Sequence, residues 1–284
     1  MDELAIKSLK NYQVWHHRRL LVTITREVKQ ELAFIQKCLR VDEKNYHTWS
    51  YRQWILAHFG GTGNTMDENQ LEDSGDNSLW EGELDFIQIM LNNDIRNNSA
   101  WHHRFFVVWA CGIREGEEDR VHIFKRELTY VKQSISIVPN NVAAWNYLRG
   151  ILKHNARPFS SIKDFITPYT IPSPGSVANR NIVDLENPPP AEGAELPVPA
   201  AIEFMADIWE EEGTKEGLDK AYEVRMQKLY LPHTDFFSFG NLCQSTMTLF
   251  ARSEYDFIIL GIYFEFIIQI LGIPHSKRTR EHQS

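Results

Sequence analysis

The sequence predicts an all-α protein built as a right-handed superhelical solenoid of α-α hairpins. Three observations in the 284 residues lead to this prediction. The pattern Asn-x-x-x-Trp occurs four times, an apolar pair follows each Trp after six and seven residues, and a Glu-Leu pair stands 14 residues before each of the last three Asn residues. Such repetition is typical of chains in which each helical pair buries its apolar face against the next pair.

The Asn and the Trp mark the second helix of each hairpin. An Asn side chain is suited to cap a helix, because its oxygen accepts an otherwise unpaired backbone N–H. The large, flat Trp is expected to fill the seam between neighbouring helices, so each of the four is predicted to be buried. The pairs are Asn11/Trp15, Asn45/Trp49, Asn97/Trp101 and Asn141/Trp145.

An Arg follows the Trp after three residues in the first three repeats, at Arg18, Arg52 and Arg104. Its aliphatic stem is expected to lie along the seam while its guanidinium donates to helix-end carbonyls. The fourth repeat has Leu148 at this position, with Arg149 next to it.

The Glu-Leu pairs mark the first helix of each hairpin. Apolar residues follow Glu31, Glu83 and Glu127 at offsets 1, 3, 4 and 8, which is the spacing of one helix face. The same offset places the Glu of the first repeat before Met1, so the first repeat is expected to be truncated. Residues 60–78, rich in Gly, Asn, Asp and Ser, are predicted to form a loop between hairpins.

The chain divides into four segments. Residues 1–153 carry the repeats, and residues 154–197 are predicted to be a Pro-rich insertion or linker, since eight of the twelve prolines lie within 168–199. Residues 198–229 are expected to form a further helical hairpin. Residues 230–284 lack the repeat spacing and are interpreted either as translated intron or a shifted frame, or as an unusual extra segment.

Composition limits the function classes. With 30 Lys and Arg against 38 Asp and Glu, the net charge of -8 argues against a general nucleic-acid binder. Three cysteines are too few for a disulfide framework or a zinc ribbon, which favours a reducing, cytoplasmic location. No secretory signal begins the chain. The longest apolar run, 257–271, is shorter than the roughly 20 residues of a membrane span and contains Glu265 and Gln269.

Four segments carry a family resemblance: KNYQVWHHRR (10–19), KNYHTWSYRQW (44–54), RNNSAWHHRFFV (96–107) and NNVAAWNYLRGIL (140–152). They resemble the repeats of protein prenyltransferase alpha subunits, above all the subunit shared by farnesyltransferase and geranylgeranyltransferase type I. The Rab geranylgeranyltransferase alpha subunit is a near alternative. A TPR-like helical scaffold without enzymatic function is an alternative of a different class.

The resemblance implies a crescent of hairpins wrapped around a beta subunit, which would hold the catalytic zinc and most of the isoprenoid pocket. The implied reaction moves a farnesyl or geranylgeranyl group from its diphosphate to the Cys thiolate of a C-terminal CaaX sequence. Any magnesium dependence is likewise expected to belong to the beta subunit. The chain itself is expected to bind no cofactor.

Family residues of the site match four positions of this sequence. Lys10 matches the lysine that reaches the isoprenoid diphosphate, where an ammonium would stabilise charge growing on the leaving group. Tyr12 and His47 match residues that donate to the diphosphate, and Gln13 matches the glutamine that binds the CaaX carboxylate. Later repeats carry similar residues at the equivalent positions, which leaves a purely structural role for Tyr12 open.

Neither His-His pair is expected to bind a metal. His16 and His17, like His102 and His103, are adjacent and therefore diverge by about 100° around a helix. Two helical histidines share one metal when they stand four residues apart, and that spacing is absent.

Overall fold

The computed structural model describes residues 2–61, 75–110, 119–172, 184 and 186–230. Regular structure throughout these residues is helical, which confirms the predicted all-α solenoid of hairpins. A π-helical turn, Phe106–Ala110, extends α6. The helices are α1 (Asp2–Lys7), α2 (Tyr12–Thr25), α3 (Val28–Val41), α4 (Tyr46–Phe59), α5 (Glu83–Asn93), α6 (Asn98–Phe105), α7 (Arg120–Ile137), α8 (Val142–His154), α9 (Lys163–Thr170), α10 (Pro199–Glu212) and α11 (Lys215–Tyr230).

Turns of four residues join the helices of the first four hairpins, and they are referred to below as turns 1 to 4. Each turn ends at the Asn of the repeat, whose side-chain oxygen accepts a backbone N–H from the helix that follows, as Asn45 does from Thr48 at 3.0 Å. This confirms the predicted helix caps. The turns span 8–11, 42–45, 94–97 and 138–141.

The four repeat tryptophans are buried, as predicted, with at most 4% of each side chain exposed. Each indole N–H also donates to the backbone carbonyl six residues earlier in the chain. Trp15 donates to Leu9 at 2.7 Å, and the equivalent bonds in the later repeats are all 2.8 Å. The ring therefore fills the core while its one polar atom fixes the turn that precedes its helix.

The repeat arginines do not cap helix ends, contrary to the sequence-based expectation. Each guanidinium instead forms a two-pronged ion pair with the Glu of the following hairpin. Each also lies within 4.0 Å of the centroid of an aromatic ring three residues after that Glu. Among the described residues, Arg52 alone of the three also donates to a carbonyl, that of Leu32 at 3.4 Å. The ion pairs are Arg18–Glu31, Arg52–Glu83 and Arg104–Glu127.

The same carboxylates bind a second side chain from their own hairpin, two residues after the Trp. Tyr51 donates to Glu31 at 2.9 Å and Tyr147 to Glu127 at 2.7 Å, while His103 Nε2 lies 3.0 Å from Glu83. Burial, together with the neighbouring carboxylate, raises the pKa of both tyrosines. Each of the three Glu side chains thus joins two consecutive hairpins.

A fifth hairpin consists of α9 and α10. Phe165 and Tyr169 of α9 and Phe204 of α10 all pack against Trp145 of the fourth hairpin. Helix α9 lies inside the segment predicted to be a linker. Because α9 has only eight residues and contains Pro168, its helical pattern is not evident in the sequence. Phe165 and Tyr169 are nevertheless buried.

Within the Pro-rich segment between α9 and α10, the described residues 186–191 rest on α7. Lys132 donates to the backbone oxygen of Glu186 at 3.1 Å and to the side chain of Asn187 at 2.9 Å. Ser136 hydroxyl donates to the carbonyl of Pro189. Tyr169 hydroxyl donates to the carbonyl of Pro188 at 2.9 Å. Residues 186–191, called the strap below, are therefore held by buried side chains rather than extended into solvent.

Helix α11 follows α10 after a short turn in which Gly213 adopts φ 65°, a conformation that glycine takes without strain. Arg225 of α11 forms ion pairs with Asp207 and Glu210 of α10. Residues 231–284, which include the apolar run 257–271, fall outside the described residues, as do residues 62–74 of the predicted loop. In the portion of the chain that the structure describes, no helix has the length and apolar character needed to cross a bilayer.

Candidate functional site

The predicted site residues lie at the edge of the solenoid where the four-residue turns lead into the second helices. Lys10 belongs to turn 1, and Tyr12 and Gln13 begin α2. His47 is the second residue of α4, next to turn 2. The side chains of Lys10, Tyr12 and Gln13 are exposed and His47 is half-buried. The structure therefore places three of the four at the junction of turn 1 with α2 and the fourth at the start of α4, which packs against α2.

Turn 1 holds the backbone of Lys10 in place. The Trp15 indole donates to the carbonyl of Leu9, and the backbone N–H of Asn11 donates to Ser8 at 2.9 Å. The Asn11 side chain accepts the N–H of Gln13 at 3.0 Å. In the described part of the chain, no hydrogen bond or ion pair engages the Lys10 ammonium. The backbone of Lys10 is thus fixed by hydrogen bonds within turn 1, while its ammonium is free to bind an anion.

An open groove of about 630 Å³ separates turn 1 from turn 2. One wall is formed by residues 6–11, including Lys10, and the other by Val41 and Asp42. Lys10 lies next to the N-terminus of α2, whose helix dipole adds to the positive potential there. The arrangement is suited to an anionic group such as a phosphate.

Lys44 occupies the position of Lys10 in the next repeat but has a different environment. Its ammonium lies 3.0 Å from the Asp94 carboxylate of turn 3. The hydrogen bond from Lys44 holds the pKa of Asp94 below its ordinary value. Of these two equivalent lysines, Lys10 is therefore the one whose charge is not matched by a carboxylate within the described residues.

The side chains of Tyr12 and His47 differ in their exposure and in their contacts. Tyr12 is 67% exposed at the start of α2, and its hydroxyl is free to reach a ligand. The imidazole of His47 contacts the edge of the Tyr46 ring, with 5.7 Å between the centroids. Tyr46, the repeat equivalent of Tyr12, is 76% exposed. These positions suit hydrogen-bond donors at a surface that a partner would cover.

Two aspartates at this edge are not identified by the sequence analysis, although a signal for them exists. Asp-x-Lys/Arg-Asn occurs at residues 42–45 and again at 94–97. Oδ1 of Asp42 accepts the backbone N–H of Lys44 at 3.3 Å, and Oδ1 of Asp94 accepts that of Arg96 at 2.9 Å. In each motif the Asp carboxylate therefore accepts a hydrogen bond from its own turn. The Asp94 carboxylate also lies beside the basic side chain of the preceding repeat.

The four paired histidines occupy separate environments. His16 and His17 are exposed, and Nδ1 of His102 lies 3.4 Å from the Gln53 amide. His103 is completely buried beside Glu83, and burial lowers its pKa. Burial raises the pKa of Glu83, but hydrogen bonds from His103 and Arg52 outweigh it and the net shift is downward. No group of three or more His, Cys, Asp or Glu side chains is arranged to hold a metal ion among the residues described.

The repeats match a known family. The model of the protein prenyltransferase alpha subunit repeat matches residues 1–25, 28–59, 80–111 and 124–155. The chain belongs to this family. The matched segments coincide with the hairpins α1–α2, α3–α4, α5–α6 and α7–α8, so each prenyltransferase repeat is one hairpin together with its turn.

Individual relatives come from two branches of the family. The chain is 34% identical over 177 residues to the protein farnesyltransferase/geranylgeranyltransferase type-1 subunit alpha of Dictyostelium discoideum, covering 54% of each chain. It is 27% identical over 151 residues to the geranylgeranyl transferase type-2 subunit alpha of Saccharomyces cerevisiae, covering 51% of this chain and 42% of the relative. The chain thus spans about half the length of these relatives.

A solved structure shares the fold. It is described as Candida albicans protein geranylgeranyltransferase-I complexed with GGPP. The similarity has a TM-score of 0.57 at 26% identity, and it covers 81% of this chain and 66% of the solved one. The likeness extends beyond the four matched repeats into the later hairpins.

Proposed function

We propose that this chain is the alpha subunit of a heterodimeric CaaX protein prenyltransferase of the farnesyltransferase/geranylgeranyltransferase type I class. The enzyme would transfer an isoprenoid from its diphosphate to the Cys thiol of proteins that end in a CaaX sequence. The observation that carries the proposal is the unpaired Lys10 ammonium on an ordered turn, at the repeat position where the family resemblance places the diphosphate. Membership of the alpha subunit repeat family supports the assignment.

Lys10 would act on the leaving group. Breaking the allylic C–O bond moves negative charge onto the diphosphate, and an ammonium already in place stabilises that charge more in the transition state than in the bound substrate. Tyr12 and His47 would donate hydrogen bonds to the same phosphate oxygens. Gln13 would donate its amide N–H to the CaaX carboxylate, as a neutral donor suited to fixing the peptide end.

The beta subunit would supply the remaining chemistry. Bound zinc there would stabilise the Cys thiolate that attacks the isoprenoid, and any magnesium would also be bound at the partner's side of the site. The described histidines of this chain do not fit a zinc site, because His103 is buried against Glu83 and its neighbour His102 is exposed. A thiol substrate is consistent with a reducing, cytoplasmic location.

The alpha subunit of Rab geranylgeranyltransferase is a second candidate. Matches to type-2 alpha subunits of several organisms favour it. A non-enzymatic TPR-like scaffold is a third reading, but it gives no reason for an unpaired Lys10 beside a groove. The isoprenoid donor depends on the beta subunit in either enzyme.

Co-expression tests these alternatives directly. The full chain is expressed with candidate CaaX-type and Rab-type beta subunits, and each purified complex is assayed with radiolabelled isoprenoid diphosphate against a CaaX peptide and a Rab protein. Transfer to the CaaX peptide is expected. Transfer to the Rab protein alone would assign the type-2 class, and a stable chain that pairs with no beta subunit would favour the scaffold.

A further inference from the structure

The carboxylate of Asp94 shows how a turn aspartate pairs with the lysine of the preceding repeat. Its Oδ1 accepts the backbone N–H of Arg96 at 2.9 Å. Its Oδ2 lies 3.0 Å from the ammonium of Lys44. One oxygen therefore closes the aspartate's own turn, and the other neutralises the basic residue of the turn before it.

Asp42 is the repeat equivalent of Asp94, but its second oxygen has a different partner. Oδ1 accepts the backbone N–H of Lys44 at 3.3 Å, in the same way as in turn 3. Oδ2 accepts the side-chain amide of Asn45 at 3.2 Å. The position that corresponds to Lys44 in the later pair is occupied by Lys10, which lines the same groove as Asp42.

The amide of Asn45 also departs from the pattern of the later repeats. The amide of Asn97 donates to the carbonyl of Glu43 in the preceding turn at 3.2 Å, and that of Asn141 donates to Ile95 at 2.7 Å. The equivalent carbonyl for Asn45 is that of Leu9, but the Asn45 amide binds Asp42 of its own turn instead. Turns 2, 3 and 4 are thus linked through Asn side chains, whereas the groove opens between turns 1 and 2.

We propose that Asn45 is a positioning residue that keeps Asp42 away from Lys10 and so leaves the Lys10 ammonium available to the substrate diphosphate. This inference rests on the proposed function. A competing carboxylate would have to be displaced before Lys10 could serve the leaving group. Ion pairs at exposed positions are worth up to about 1 kcal/mol, so breaking one is expected to slow transfer by as much as about fivefold.

Asn45→Ser separates the two roles of this side chain. Serine is a good helix cap and keeps an acceptor for the start of α4, but it has no amide to hold Asp42. In the complex with the beta subunit, the single-turnover rate of transfer to a CaaX peptide is expected to fall by as much as about fivefold. Adding Asp42→Asn is expected to restore the parent rate, because the competing charge is removed while Oδ1 still closes the turn. Asn45→Thr serves as a second capping variant.

Asn97→Ser is the matched control, since it removes the equivalent amide where Asp94 already binds Lys44. It is expected to leave the transfer rate unchanged. An unchanged rate in the Asn45→Ser complex, or a loss that Asp42→Asn does not restore, would overturn the inference. Lys10→Ala separates this outcome from failure of the proposed function: a complex that transfers normally without the Lys10 ammonium contradicts the proposed function itself.

Discussion

Arg52 on α4 and Glu83 at the start of α5 form a buried, two-pronged ion pair between the second and third hairpins. Nε and Nη2 of Arg52 lie 3.0 Å and 2.5 Å from the two carboxylate oxygens. The side chains are only 6% and 4% exposed. His103 contacts the same carboxylate, so three helices meet at one buried negative charge.

Replacing Arg52 by Met is predicted to destabilise the fold by about 3–5 kcal/mol, because it leaves the buried Glu83 carboxylate without its cationic partner. Urea unfolding of the purified chain measures this loss. The double variant Arg52→Met/Glu83→Met is predicted to be more stable than Arg52→Met alone, since no buried charge then remains unpaired. A single variant within about 1 kcal/mol of the parent protein would show that the ion pair does not hold the hairpins together.

The stability of the chain is predicted to fall as the pH drops below about 6.5, the ordinary pKa of histidine. Burial, together with the charges of Arg52 and His102, lowers the pKa of His103 in the folded protein, although Glu83 opposes the shift. The unfolded chain therefore binds a proton first, and protonation favours unfolding. The pKa of Glu83 is also lowered in the folded protein, so the free energy of unfolding falls further below pH 4.5, the ordinary pKa of a glutamate.

His103→Tyr tests the origin of this pH dependence. Tyr51 and Tyr147 occupy the equivalent position in other repeats and donate to their glutamates, so a tyrosine is predicted to be accommodated and to remain uncharged. Urea midpoints measured from pH 7.5 to 5 are expected to depend less on pH than in the parent protein. His16→Gln, at an exposed position away from the Glu83 cluster, is the control. An unchanged pH slope in His103→Tyr would contradict the assignment.

Lys132→Met is predicted to release the strap, residues 186–191, from α7. The ammonium is held by two oxygens of the strap, and burial lowers its pKa. Losing the hydrogen bonds from Lys132 is expected to lower the free energy of opening the strap by about 2 kcal/mol. The strap would then be open about 30-fold more often. Limited proteolysis within the strap measures the change. Lys163→Met, which removes an exposed ion pair with Glu212, should leave the cleavage rate unaltered.

Much of the fold follows from residue spacing because a solenoid repeats the same local contacts. The Asn caps and buried Trp rings are set by residues only a few positions apart, and both predictions are confirmed. The partner of each repeat Arg is harder to predict, since it lies in the next hairpin beyond a loop of variable length. Helix α9 is missed because Pro168 interrupts a short pattern whose burial depends on contacts with Trp145.

The candidate site shows a different limit of sequence reasoning. Lys10 and Lys44 stand in nearly identical motifs, KNYQVW and KNYHTW, so the sequence alone does not separate them. The structure distinguishes them by the partner of a single aspartate oxygen in each turn. The roles of Lys10, Tyr12, Gln13 and His47 remain predictions that depend on a bound substrate and a beta subunit.

The most direct test of the central claim compares Lys10→Ala with Lys44→Ala in the complex with the beta subunit. Lys10→Ala is predicted to slow single-turnover transfer about a hundredfold while weakening isoprenoid diphosphate binding far less, because the ammonium acts mainly on charge that develops in the transition state. Lys44→Ala, whose ammonium is already paired with Asp94, is predicted to retain the parent rate. Equal losses of rate and affinity in Lys10→Ala, or no loss in either, would contradict the account.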